Sequence, residues 1–120
     1  QYTTTVGAGG RLELRPGVVI KSDPAARPSL AIQGELACDA SAGAPVVFTS
    51  LHDNSVGENL NPSGTPPAPG DWRGISLQPS SDASVLRNVQ IRYGGYLGVA
   101  MIGLSSSDCV LEDLIVAHGG

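Results

Sequence analysis

Apolar side chains recur two residues apart in short runs, as in Val89 and Ile91 and again in Leu114 and Val116. This is the alternation of a strand with one buried face. The three-and-four spacing of a helix is absent. The runs are themselves repeated. VLRNVQIRYGG, from Val85, aligns with VLEDLIVAHGG, from Val110, at an offset of 25 residues (85 to 110). Val85 then matches Val110, Leu86 matches Leu111, Asn88 faces Asp113, Val89 faces Leu114 and Ile91 faces Val116, and both segments close on paired glycines. Upstream, Gly74, Ile75, Ser76 and Leu77 align with Gly98, Val99, Ala100 and Met101 at an offset of 24 (74 to 98), which marks two units over 72–95 and 96–120. In the N-terminal half, LELRPGVVI from Leu12 aligns with LAIQGELAC from Leu30 at an offset of 18 (12 to 30).

A unit this short cannot bury its own apolar face, so each must stack on the next, its strands pairing in parallel about 4.8 Å apart. The pattern predicts an all-β fold, a right-handed parallel β-helix (β-solenoid) of roughly four coils, on the order of 20 Å tall. It forms a single domain over residues 1–120 with one long loop insertion. Equivalent positions of successive coils lie over one another. Leu86, Val89 and Ile91 are expected to point inward beneath Leu111, Leu114 and Val116, Arg87 to lie over Glu112, and Asn88 over Asp113. Cys38 and Cys109 fall about two layers, or about 10 Å, apart, beyond the roughly 7 Å that a disulfide spans. Both are expected to be free thiols. The chain closes on His118, Gly119 and Gly120, the end of a repeat, so the stack is expected to continue into further coils of a larger chain or onto another copy.

Composition narrows the partners. Sixteen glycines, nine prolines and only five aromatics suit short strands and tight turns. A net charge of -4 and a pI near 4.9 leave no basic surface to neutralise phosphates, which argues against nucleic acid. No apolar run approaches the roughly 18 residues of a membrane helix, so membrane insertion is not expected. No signal-peptide pattern is present, so an exported chain would already have lost its leader.

Between PVVFTS, ending at Ser50, and a strand opening at Trp72 lies LHDNSVGENLNPSGTPPAPGD, residues 51–71, without periodicity. Loops of this length in compact domains are usually functional or ordered by something else. Asp53, Asn54, Glu58, Asn59, Asn61 and Asp71 supply oxygens of the kind that wrap a hard cation such as calcium. The calcium reading places Asp53, Glu58, Asn59, Asn61 and Asp71 around the ion, with Asp53 and Glu58 the best candidates. The other reading is a loop held by its prolines, asparagine turns and packing around Trp72.

The runs GRLELRPGVVIKS, LAIQGELA, PVVFTSLHDNSVG, PAPGDWRGISL and LRNVQIRYGG occur in order over most of the chain. In this they resemble the N-terminal portion of right-handed parallel β-helix repeat proteins of bacterial surfaces. The resemblance implies a secreted or cell-surface protein defined by architecture rather than activity. It also implies an Asp-rich loop resembling a calcium site. Here Asn59 and Ser63 stand where the family carries aspartates, which weakens any divalent site.

Many β-helices act on acidic polysaccharides, but the acidic clusters such chemistry needs are absent. Asp82, Asp108 and Asp113 lie near turns, His52 and His118 are far apart in sequence, and Ser105, Ser106 and Ser107 lack a nucleophile context. Arg87 and Arg92 read as exterior charges on strand edges. Tyr93 and Tyr96 either cap a coil edge or stack on a sugar. The sequence therefore points to a non-catalytic structural or adhesive surface module, or, from a second class, to a carbohydrate-binding or polysaccharide-active module with glycan partners.

Overall fold

The computed structural model describes residues 3–62, 64–79, 83–98, 100–104 and 109–118. Ser63, Asp82, Val99, Ser105, Ser106, Ser107, Asp108, Gly119 and Gly120, which enter the sequence reading, lie outside the described residues. Four coils of three short strands each are stacked. The first holds β1 (Thr3–Val6), β2 (Arg11–Glu13) and β3 (Val19–Ser22), and the second β4 (Ser29–Ile32), β5 (Glu35–Asp39) and β6 (Val46–Ser50). The third holds β7 (Gly74–Leu77), β8 (Val85–Arg87) and β9 (Val89–Arg92), and the fourth β10 (Ile102–Leu104), β11 (Val110–Glu112) and β12 (Ile115–Ala117). Corresponding strands pair in parallel into three four-stranded sheets, ordered β1-β4-β7-β10, β2-β5-β8-β11 and β3-β6-β9-β12. The chain is a parallel β-helix.

The register explains the core. Leu14 follows β2, and its amide donates to the Ala37 carbonyl at 2.9 Å. With Cys38 paired to Leu86 and Leu86 to Leu111, one inward column runs through Leu14, Cys38, Leu86 and Leu111. Another runs through Ile20, Phe48, Ile91 and Val116. Leu86, Val89 and Ile91 are fully buried, as their spacing predicts. Leu111 and Leu114 pack on this core. Val116 stands in register with Ile91 but is 46% exposed, because its coil has a neighbour on one side only.

Two sequence alignments are corrected. Leu12 pairs with Leu36, an offset of 24 (12 to 36), while Leu30 lies in a different sheet beside Thr4 and Ile75. The offset of 18 therefore matched strands of different sheets, whose apolar alternation is the same. Ile75 pairs with Ile102, an offset of 27 (75 to 102), so Gly98 to Met101 precede the strand they were aligned to. The first strand of the third coil likewise opens at Gly74 rather than Trp72. Gly74 has φ +133°, and a Cβ there would lie 2.3 Å from the Met101 carbonyl oxygen. Only glycine admits so close an approach of the next coil.

Corners are made by single residues in the left-handed region. Asn88 (φ 53°) and Asp113 (φ 51°) turn the chain between the second and third sheets, and Tyr93 (φ 61°) and His118 (φ 57°) turn it after the third. Asn and Asp tolerate this conformation best. The Asn88 side-chain amide donates to the Ala40 carbonyl of the coil below at 2.9 Å, so the expected stack of corner residues also ties one coil to the next.

Cys38 is buried and Cys109 half-buried, and both are free. Burial pushes the Cys38 thiol up to about 12, which leaves almost no thiolate at neutral pH. Alkylation of the folded protein should therefore modify Cys109 first and Cys38 only after unfolding, read by mass spectrometry of timed digests. Equal rates at the two thiols would contradict the burial of Cys38.

Candidate functional site

The 51–71 excursion is organised by Asp53, which is 2% exposed. The loop leaves β6 directly, so the last residues of that strand meet it at once. Thr49 donates its hydroxyl to Asp53 Oδ2 at 2.7 Å, the Ser55 amide donates to Oδ1 at 3.0 Å, and the Ser55 hydroxyl donates to the same oxygen. Arg92, at the end of β9 one coil above, brings Nη1 to 3.4 Å from Oδ2. Burial alone would raise the Asp53 carboxyl, but the Ser55 and Thr49 hydrogen bonds and the Arg92 charge together hold it below the usual carboxylate range.

A lysine that sequence reasoning did not single out completes the arrangement. Lys21, on β3, donates Nζ to the backbone carbonyls of Asp53 and Glu58, each at 2.6 Å. The Glu58 residue thus contributes its carbonyl. Asn59 Oδ1 accepts from the Asn61 amide at 3.0 Å, and the 5% exposed Asn61 donates its side-chain amide to the carbonyls of His52 at 3.2 Å and Thr65 at 2.6 Å. Asp71 Oδ2 accepts from the Ser50 hydroxyl at 2.6 Å and the Ala68 amide at 3.1 Å, and lies 3.8 Å from His52 Nδ1.

The five residues read as calcium ligands are thus all engaged within the loop and its neighbouring strands. Asp53 and Asp71 accept protein hydrogen bonds, Asn59 and Asn61 shape turns, and among the described residues no three His, Cys, Asp or Glu side chains converge to hold a metal ion. Calcium needs several oxygens on one point, and the backbone carbonyls of Asp53 and Glu58 accept from the Lys21 ammonium group.

No family model, no curated protein and no solved structure matches this chain. The site therefore has to be read from its own geometry.

Arg87 and Arg92, expected as exterior charges on strand edges, both meet carboxylates. Arg87 bridges Asp39 below, at 3.3 Å, and Glu112 above, at 2.9 Å, which realises the expected Arg87 over Glu112 contact. Arg92 adds Gln90 and Ser55 to its contact with Asp53. Tyr93 stacks on His118 with ring centroids 4.7 Å apart, a coil-to-coil contact. The two tyrosines thus part company, since Tyr96 lies beyond the corner in a short 3-10 turn, Tyr96–Gly98.

The Asp53 arrangement carries a pH signature. A carboxyl depressed in the folded state contributes stability that is complete above its unfolded value, near about 3.9, and lost as pH falls through the lower folded value. The Ser55 amide resonance should therefore titrate below about pH 4 and report the loop opening. A midpoint at or above the ordinary carboxylate value would mean that Asp53 is not held as described.

Proposed function

We propose that the chain is a non-catalytic structural or adhesive module of a secreted or cell-surface protein, of the kind the bacterial β-helix repeat resemblance implies. The observation that supports this best is the internal wiring. Three parallel ladders run through all four coils, and the polar groups that looked available for chemistry are spent on Lys21, Arg92, Thr49, Ser50 and Ser55. A stiff rod with self-sufficient corners serves length and display.

Leu104 and Val116 on the fourth coil, in register with the buried Leu77 and Ile91, are 51% and 46% exposed. In the proposal this face is covered by another coil-like surface, either more of the same polypeptide or a second copy. The outer charges suit such stacking. Arg15, two residues beyond the Glu13 to Ala37 pair, falls in line with Asp39, Arg87 and Glu112, so signs alternate up the stack.

The experiment is incubation with neutral and acidic polysaccharides, read for new reducing ends and for unsaturated uronides. Neither is expected. Release of either, abolished by a substitution on a sheet face, would replace this reading with a polysaccharide-active one.

The loop is held in this proposal by its own hydrogen bonds, with no contribution from calcium. Millimolar calcium and a chelator should give the same melting temperature. A calcium-dependent rise, which ligand binding to the folded state would produce, would reinstate Asp53 and Glu58 as a cation site.

A further inference from the structure

Among the described residues three arginines, Arg15, Arg27 and Arg73, make no ion pair in a chain whose acidic residues outnumber its basic ones, 11 to 7, and two of the three converge on one aromatic ring. Arg11, Arg87 and Arg92 each meet a carboxylate, but among the described residues Arg27 and Arg73 meet none. Both instead face the ring of Tyr96, with Cζ 4.4 Å (Arg27) and 5.8 Å (Arg73) from its centroid. A ring face attracts a guanidinium but leaves its in-plane N–H donors unsatisfied. The Arg73 Nε is buried with no hydrogen-bond partner.

The backbone brings these groups together at some strain. Arg27 has φ +45° and Leu97, next to Tyr96, has φ +60°, both in the left-handed region that non-glycine residues avoid. Arg27 is fixed there by a turn on Asp23, whose carbonyl accepts from the Ala26 and Arg27 amides at 3.0 and 3.1 Å. Tyr96 is tied to the third coil through its amide on the Trp72 carbonyl at 3.1 Å. Strained residues held by their surroundings cluster at functional sites.

Arg73 also lines an open cavity of about 310 Å³ on the outer face of the first sheet. Its floor is Ser29, Gly74, Ile75, Ser76, Ala100 and Gly103, small side chains apart from Ile75, with the Ser76 hydroxyl accepting from Gln78 at 2.8 Å and the Ser29 hydroxyl paired with Thr3 at 3.1 Å. That volume is at the lower end of ligand sites, the size of about one sugar ring.

We propose that Arg27, Arg73 and Tyr96 bind a carboxylate- or sulfate-bearing sugar residue, the oxyanion meeting the guanidinium edges and the ring lying along the Ser29, Ser76 and Gly103 floor. Two cations near one ring repel each other, and an oxyanion bound to their accessible N–H groups offsets that repulsion. The small floor admits a sugar ring that larger side chains would exclude. This deepens the adhesive reading and rests on it, since the site offers binding only.

The test is titration of the intact chain with a chondroitin sulfate hexasaccharide, followed by amide and arginine Nε resonances. A neutral malto-oligosaccharide and inorganic sulfate serve as separate arms. The hexasaccharide should shift Arg27, Arg73 and Tyr96, and the neutral sugar should not. Arg27→Gln and Arg73→Gln should each weaken binding about tenfold, as expected for losing a charge-assisted contact. Gly103 has φ outside the left-handed region and nothing within 4 Å of an added Cβ, so Gly103→Leu should fold normally, block the hexasaccharide and spare inorganic sulfate. Arg27 is exposed, so its variant remains informative even where Arg73→Gln fails to fold. Shifts elsewhere, binding unchanged in Arg27→Gln, or sulfate binding without saccharide binding would overturn the proposal. None of these outcomes touches the non-catalytic reading, which the polysaccharide incubation tests by itself.

Discussion

Trp72→Ala is expected to destabilise the fold by about 3–5 kcal/mol, the range for removing a buried aromatic. Trp72 is 2% exposed and stacks on Phe48 of the second coil with ring centroids 6.4 Å apart. Its indole Nε1 donates to the Arg92 carbonyl at 2.7 Å. It therefore joins the sheet below to the end of β9 and anchors the far end of the excursion. Truncation leaves a cavity, and it leaves the Arg92 carbonyl without that donor. Against a total of about 5–15 kcal/mol for a domain, such a loss approaches unfolding at 37 °C. Trp72→Phe keeps most of the ring and should cost only about 1–2 kcal/mol. Urea midpoints measure both. An alanine variant within about 1 kcal/mol of the parent would place the indole outside the core.

Asp53→Ala is expected to cost about 3 kcal/mol, because it strands two hydroxyls, an amide and a guanidinium that were paired with one carboxylate. Thr49 is fully buried, so water cannot replace the lost acceptor there. Glu58→Ala should change stability by no more than about 0.5 kcal/mol, since Glu58 is exposed and its described contact uses the backbone carbonyl. The pair separates the two accounts of the loop. Equal losses at 53 and 58, measured as urea midpoints, would mean that the two carboxylates act as one site.

The third and fourth coils were legible because their repeat preserves residue type at the corners as well as along the strands. Asn88 and Asp113 mark the same left-handed turn, and Arg87 and Glu112 the same outer column. The first and second coils were legible as strands but not in register. There the corner residues differ, Ala40 standing where Asn88 stands one coil later, so apolar alternation alone could not separate an offset of 24 from one of 18. The loop was legible as an ordered insertion rich in oxygen. What holds it was not, because Lys21 and Arg92 lie 32 and 39 residues from Asp53 in sequence and only the stacking of coils brings them to it. The same holds for Arg27 and Tyr96, which reach one another across the second and third coils.

The central claim is the coil register. Scalar couplings across hydrogen bonds, detected by NMR between amide nitrogens and carbonyl carbons, test it residue by residue. The account predicts couplings from the Leu14 amide to the Ala37 carbonyl, from Val47 to Val18, from Ile75 to Met101 and from Val110 to Ser84. Couplings that instead join the Leu12 and Leu30 segments at an offset of 18, or that show the reciprocal pairs of antiparallel strands, would contradict it.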